Sequence, residues 1–272
     1  MKNESLVSKI LWGILVVLVL IPFLFPFLWI LSASFKTQAQ IVAMPPVWIF
    51  TPTLENYARV FVEQDFGRFL LNSSIIAVGS TVLSLLIGLP AAYTISRYKQ
   101  NGLGVFILIA RLMPGISYLI PWYILFSKLR MIDTFTTLIA SHMLVGLPLI
   151  VWIMVNYFDG LPHELEEAAQ VDGCTLQGAF FKIVLPLSGP GIITASTLSF
   201  LFSWNNFMFS LVLSAEETKT LPIAVYNFVS YADVSWGPVM AATIVIIAPA
   251  IILTMVFQRY VIKGLTMGAV KG

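Results

Sequence analysis

The 272-residue chain is 58% apolar and only 10% charged, with a mean hydropathy of +0.92 and a formal net charge of +2. Soluble domains carry about 25% charged residues, so this composition excludes an ordinary water-soluble globule and points to an integral membrane protein. The small net charge argues against nucleic acid as a partner, and the single cysteine, Cys174, permits no internal disulfide and no cysteine metal cluster.

In chain order, residues 1–9 are polar and residues 10–32 are apolar. The apolar run can cross a hydrocarbon core, which takes about 20 residues. It exceeds the roughly 7–15 apolar residues of a signal peptide, and no small-x-small cleavage pattern follows it, so it reads as a retained first span. Residues 35–69, with MPPVWIF and LENYARVF, read as an ordered interfacial connection. Further spans are expected at 72–95, 103–126, 134–157, 187–213 and 237–262. The third contains Arg111, Pro114, Gly115 and Pro121 and should be bent or broken. The fourth holds His142 and an interruption at Gly146–Pro148, the fifth carries the polar patch Ser203–Trp204–Asn205–Asn206, and the sixth encloses Pro249. A polar loop, 214–236, precedes the sixth span, and the basic tail GLTMGAVKG ends the sequence. The expected architecture is an all-α membrane protein of about six transmembrane helices forming a single domain over 1–272.

Between the fourth and fifth spans, residues 162–186 hold the densest acidic run: Glu164, Glu166, Glu167 and Asp172. Pro162 suits the first turn of a helix and Gly173 the position just past its end. A second helical pattern follows, with Leu176, Phe180, Ile183 and Val184 at spacings of three and four, and Pro186 is expected to close it. Glu164, Glu167 and Val171 fall on one face of the first helix, with Leu165, Ala168 and Ala169 near another, a small-residue surface suited to close docking. The simpler reading is that the glutamates favour the positive end of their own helix and solvate a loop. With a cytoplasmic N-terminus, Lys2, Lys9, Arg97, Lys99, Lys182, Arg259, Lys263 and Lys271 lie inside. Lys36, Arg59, Arg68, Lys128, Arg130 and Lys219 lie outside, a slight positive-inside bias.

Paired carboxylates can act as general acids and bases or hold a divalent cation. No second cluster at ligand spacing, Gly-rich phosphate loop or nucleophile motif accompanies them, so neither an enzyme nor a metal site is indicated. Arg111 and His142 are ionisable groups within spans and therefore candidates for the substrate path. Their structural explanations are snorkelling or pairing with a carbonyl freed by Pro114 for Arg111, and an interhelical hydrogen bond for His142. Trp204, Asn205 and Asn206 are chemically better matched to a sugar, since indole faces stack on rings and amides bond hydroxyls. Polar side chains also serve as helix–helix contacts.

The segment EEAAQVDGCTLQGAFFKIVLPLSGPG resembles the EAA loop of ATP-binding-cassette (ABC) importer permeases through Glu167, Ala168, Ala169, Asp172, Gly173, Phe180, Ile183, Leu185 and Pro186. SWNNFMFSLVL, residues 203–213, resembles the WNEF-type segment of sugar importer permeases, departing at Asn206 where an acidic residue is common. The ending GLTMGAVKG resembles that of the smaller maltose-type permease subunit. The resemblance covers nearly the whole chain and implies a type I ABC importer transmembrane domain in a bacterial inner membrane, multi-pass, with both termini cytoplasmic. It implies a coupling role for Glu167 and Gly173, supported by Ala168, Ala169 and Asp172, against a separate ATPase, with the tail 264–272 reaching towards the same interface. The partners it implies are a second homologous permease, two ATPase subunits, an extracellular or periplasmic sugar-binding protein, a carbohydrate substrate and membrane lipid. No cofactor is expected on this chain, with ATP and magnesium used by the partner. A secondary transporter working alone, and glycerol 3-phosphate as the cargo, are the alternatives.

Overall fold

The apolar runs of the sequence fold into helices. The structure, a computed structural model, describes residues 6–226, 228 and 234–266, with no strand among them. Its helices are α1 (Leu6–Ser34), α2 (Gln38–Ile41), α3 (Glu55–Ala58), α4 (Phe66–Arg97), α5 (Asn101–Leu112), α6 (Ile116–Lys128) and α7 (Phe135–Asp159). They continue as α8 (Glu164–Val171), α9 (Leu176–Ala179), α10 (Leu185–Leu187), α11 (Gly189–Trp204), α12 (Met208–Leu213), α13 (Leu221–Tyr226) and α14 (Trp236–Thr266). A π turn at Arg59–Glu63 extends α3, and another at Phe180–Val184 joins α9 to α10.

Among the described residues, four helices are long and apolar enough to cross a membrane: Ile10–Ser34 of α1, α4, α7 and Trp236–Tyr260 of α14. The pair α5 and α6, bent by 91°, and the pair 176–187 and α11, bent by 75°, raise the number to six if each counts as one span. The first bend has a local cause. Met113 is extended (ψ 130°), as a residue before proline must tend to be, so α5 stops there. The second bend differs from expectation: Pro186 lies inside α10 rather than ending the helical run, and the turn comes at Ser188, where α11 starts afresh. The fifth apolar run is itself divided, because α11 ends at Trp204 and α12 begins only at Met208. The loop expected at 214–236 contains α13. Of the tail 264–272, residues 264–266 end α14 and the remainder lies outside the described residues, as do Lys2 and Lys271.

The chain divides into two units, residues up to 66 with 225–248, and 67–224 with 249 onwards. In the first unit, Asn56 donates to the carbonyls of Ser34 (2.9 Å) and Lys36 (2.8 Å), fastening α3 to the end of α1. The ammonium of Lys36, although buried, donates to the Val47 carbonyl at 2.7 Å and lies over the rings of Trp29 and Phe50. Carbonyl and ring quadrupoles together replace the water it has lost.

In the second unit α7 packs against α5, α11 and α12. Ala92, Tyr93, Ile95, Ile150, Met154, Phe158, Phe180 and Val184 belong to one buried cluster. A second forms around Ile76, Leu138, Phe209 and Leu213. Between them runs a polar seam in which Ser80 donates to Ser203 at 3.0 Å and His142 pairs with Ser203 at 2.7 Å. Glycines let α7 and α11 approach closely, as small residues do in membrane helices. A Cβ on Gly191 would lie 2.5 and 2.6 Å from ring carbons of Tyr157, and one on Gly146 would lie 2.7 Å from the Ser199 hydroxyl. Gly191→Ala is therefore expected to destabilise the protein by about 1–3 kcal/mol through overpacking. Denaturation of the detergent-solubilised protein, compared with Gly189→Ala where a Cβ meets nothing within 4 Å, measures that cost.

Candidate functional site

The acidic segment folds as two short helices meeting at glycine. α8 carries Glu164, Glu166 and Glu167 in its first turn, where the exposed N–H groups favour negative charge. Its end is closed by the N–H of Gly173 donating to the Gln170 carbonyl (3.0 Å) and that of Cys174 to the Ala169 carbonyl (2.9 Å). Gly173 sits at φ +91°, a conformation that L side chains rarely adopt, while a Cβ there would meet nothing within 4 Å. The glycine is thus required by backbone geometry rather than by crowding. Thr175 then caps α9, its hydroxyl accepting from the Gly178 N–H at 3.1 Å.

The element has two faces. Glu167, Ala168, Asp172 and Gly173 are exposed, as are Glu164 and Val171. Ala169 and Glu166 are buried. Of the five residues singled out from the sequence, four therefore form an open surface and Ala169 packs inward beneath them. The buried glutamate was not singled out by sequence reasoning, which grouped it with the solvated carboxylates.

Glu166 is held from two sides. One carboxylate oxygen accepts from the Arg97 Nε at 2.6 Å, with Nη2 of the same guanidinium 2.5 Å away. The other oxygen accepts from the Tyr93 hydroxyl at 2.5 Å. Both charged side chains are 6% exposed. Arg97 also donates from Nη1 to the Phe158 carbonyl at 3.0 Å, and Nη1 lies 3.4 Å from His163 Nε2. A second tie follows close by, where Ser96 donates to Asp159 at 2.6 Å and Lys99 approaches the same carboxylate at 3.5 Å. The ends of α4, α7 and α8 are thereby joined through charge. The cue in the sequence was a lone arginine in the last turn of a long apolar run, which needs a partner, although only tertiary contact identifies it.

Near the other end of α7, Asp133 organises a loop. It adopts φ +62°, and its carboxylate accepts from the N–H groups of Ala215 (2.8 Å), Glu217 (3.0 Å) and Thr218 (2.9 Å) and from the Thr218 hydroxyl (2.7 Å). Burial pushes the Asp133 pKa up, but these donors outweigh it and hold the group below the ordinary 3.8. A depressed carboxylate stabilises the fold above its unfolded pKa, and that contribution disappears as pH falls through the lower folded value. The 215–218 loop should stay protected through neutral and mildly acidic pH and loosen only below the usual carboxylate range. Asp133→Asn should raise amide exchange at Ala215, Glu217 and Thr218 by about tenfold at neutral pH, the order expected for losing a charged hydrogen bond; hydrogen exchange reads it directly.

The two helix breaks share a cavity of about 470 Å³. Arg111, Pro114, Gly115 and Tyr118 line it from the α5–α6 break, Asn206 and Met208 from the α11–α12 break, and Leu144 and Val145 from α7. The carbonyl of Ala110 accepts from the Tyr118 hydroxyl (2.9 Å), and of the two structural explanations for Arg111 the carbonyl pairing is not formed among the described residues. Arg111 is exposed and makes no hydrogen bond or ion pair among the described residues. The side-chain carbonyl of Asn206 accepts from the Phe209 N–H at 3.1 Å, serving the first turn of α12. Asn205 is exposed and donates to the Leu201 carbonyl at 2.8 Å. Trp204 is buried and stacks on Phe200, and His142 is buried in the polar seam. Thus the structure brings Arg111 and Asn206 to one cavity, and Trp204, Asn205 and His142 are not among its lining residues.

The fold is that of ABC importer transmembrane domains. It aligns with a chain from the crystal structure of a bacterial ABC transporter involved in the import of the acidic polysaccharide alginate, at a TM-score of 0.80 and 22% identity, covering 96% of this chain and 99% of that one. It also aligns with the MetNI methionine ABC transporter in an inward-facing conformation, at a TM-score of 0.59 and 17% identity, covering 72% and 94%. The chain belongs to the family described as the binding-protein-dependent transport system inner membrane component, whose pattern matches residues 84–267. It is a multi-pass membrane protein.

Its relatives match along nearly their full length. A trehalose/maltose transport system permease protein of Thermococcus litoralis is 34% identical over 99% of both chains. A sulfoquinovosyl glycerol transport system permease protein of Agrobacterium fabrum is 37% identical over 92% of this chain and 89% of that one. A diacetylchitobiose uptake system permease protein of Streptomyces coelicolor is 32% identical over 99% and 100%. Membership of a binding-protein-dependent system removes the alternative of a transporter working alone.

Proposed function

We propose that this chain is a permease subunit of an ATP-driven carbohydrate importer and that α8, Gly173 and α9 form its coupling surface. The observation that carries the coupling assignment is the open patch of Glu167, Ala168, Asp172 and Gly173, set on a helix whose opposite side is buried and ion-paired. Such a patch offers a partner two carboxylates and two small residues on a rigid support. The partner is a separate ABC ATPase, present in two copies, which binds and hydrolyses ATP with magnesium. This chain is not an enzyme and holds no cofactor of its own. A second homologous permease completes the pathway, and an extracellular or periplasmic binding protein delivers the carbohydrate.

In this reading α8 faces the cytoplasm of a bacterial cell, both termini lie on that side, and the loop tethered by Asp133 faces outward. Closure of the ATPase pair moves α8 as a lever, and the attached helices rock between inward-open and outward-open states. The carbohydrate class is supported by relatives that carry di- and oligosaccharide permease names, and glycerol 3-phosphate finds no specific support among them. The cavity at the two helix breaks is the candidate for this chain's part of the substrate path, with Arg111 and Asn206 as its polar residues.

Gly173→Pro and Glu167→Lys, introduced separately into the assembled transporter, should each lower both uptake and co-purification of the ATPase by roughly tenfold or more, as losses at an interface centre do. Survival of both activities in both variants sinks the coupling assignment. The substrate path is tested apart from it. Asn206→Leu should raise the KM for uptake by about tenfold, the scale of one lost hydrogen bond, while ATPase co-purification stays as in the parent.

A further inference from the structure

The exposed face of α8 accounts for docking but not for how motion leaves that helix. The connection in sequence runs through α9, a π turn and α10 to a 75° bend before α11 begins. A path with that many joints is a poor transmitter of force. The buried charges on the other side of α8 supply a direct one. Glu166, projecting inward from α8, is gripped by Arg97 and Tyr93 of α4, and Arg97 reaches on to the last-turn carbonyl of Phe158 in α7. Three donor atoms of α4 are therefore fixed around one carboxylate, α7 is reached through the same guanidinium, and both charged side chains are 6% exposed. Close by, Asp159 ties the same two helix ends together through Ser96 and Lys99. Aromatic packing locks the surroundings: Tyr93 lies edge-on to Phe158 at 5.9 Å and against Phe180 of the π turn at 4.7 Å.

We propose that Tyr93, Arg97 and Glu166 form the joint through which movement of α8 is passed to α4 and α7, so that the acidic residue preceding the docking face serves transmission rather than docking. The inference rests on the coupling reading of α8 and adds the route by which the transmembrane helices follow it. The three are positioning residues. None faces the cavity at the helix breaks, and Glu166 is too buried to meet a partner subunit. A carboxylate at this place cannot be released from its guanidinium without leaving a charge in an apolar setting, so the helices it joins move together. The geometry is also specific to arginine, because its planar fork spans Glu166 on one side and the Phe158 carbonyl on the other, which the single ammonium of lysine cannot do.

The test uses the complete transporter, both permeases with the ATPase pair, reconstituted in proteoliposomes with its binding protein. Three quantities are read for each variant: ATPase co-purification, ATP hydrolysis, and substrate imported per ATP hydrolysed. Glu166→Gln and Arg97→Gln should retain the ATPase and hydrolyse ATP, yet import at least about tenfold less substrate per ATP. Tyr93→Phe, which removes only a hydroxyl, and Arg97→Lys, which keeps the charge but loses the fork, should fall between these and the parent. A structural defect alone reduces the amount of working transporter and leaves the ratio unchanged. If the glutamine variants do not assemble, the two milder ones carry the decision. An unchanged import-per-ATP ratio in every assembled variant overturns the joint. Loss of ATPase co-purification in well-folded Glu166→Gln also overturns it, since that would make Glu166 part of the docking face. Failure of the coupling reading itself is recognised separately, by Gly173→Pro and Glu167→Lys leaving both co-purification and uptake intact.

Discussion

The buried pair of Arg97 and Glu166 sets the terms for this end of the second unit. α8 has eight residues and would be about 12 Å long, well short of the 12–15 residues at which an isolated helix becomes marginally stable in water. Its position must come from what it touches. Ala169 supplies a little apolar burial, packing against α9 and the π turn adds to it, and Glu166 contributes through charge. Removing one member of such a pair costs about 3–5 kcal/mol, while replacing both with apolar residues of similar volume is often neutral. Stability alone therefore does not call for an ion pair here. What it adds is a unique register: a carboxylate that must meet a guanidinium and a hydroxyl admits one placement of α8, whereas a greasy contact would admit several.

A different constraint shapes the cavity. A membrane helix that stops at depth strands its last carbonyls and its successor's first N–H groups, and lipid offers them nothing. Each break in this protein deals with part of that deficit by side chains from the break itself. Tyr118 takes the Ala110 carbonyl, Asn206 takes the Phe209 N–H, and Asn205 takes the Leu201 carbonyl. Of the polar run that was a candidate for sugar contact, Asn205 and Asn206 each spend one side-chain group on their own backbone. Asn206 alone of that run reaches the cavity, and it has an amide nitrogen left, which makes no hydrogen bond among the described residues. Arg111 is the other group with unspent donors.

Features with a local cause were legible in the sequence. Proline and glycine at 114 and 115 marked a bend, glycine at 173 marked a helix end, and apolar length marked the spans. What escaped were outcomes decided between helices. Pro186 stays inside a helical turn because the preceding π turn and the Ser188 break accommodate the change of direction. Glu166 and Glu167 are neighbours with the same chemistry and the same favourable place near a helix N-terminus. They differ only in the 100° that separates adjacent side chains on a helix, one turned to Arg97 and the other to open space. Arg97, at the end of an apolar span, looked like one more inside-facing cation. Its burial follows from a partner 69 residues away, which no local pattern encodes.

α7 connects these regions. At one end its Phe158 carbonyl and Asp159 carboxylate receive α4, and just before the other end Asp133 holds the 215–218 loop. Between them, Gly146 and the close approach of Gly191 to Tyr157 bring α7 and α11 together at a distance a Cβ would forbid. The polar seam through His142 and Ser203 adds hydrogen bonds along the same contact, and Leu144 and Val145 turn to the cavity. α7 is thus tied by charge at its Asp159 end and packed closely against α11 where Gly146 and Gly191 lie. Its residues line the cavity at Leu144 and Val145, and its start follows Asp133, so cavity wall and far loop are set on one helix. In such a design specificity for a particular carbohydrate need not reside in this chain's few free donors. It can lie in the binding protein from which the family takes its name.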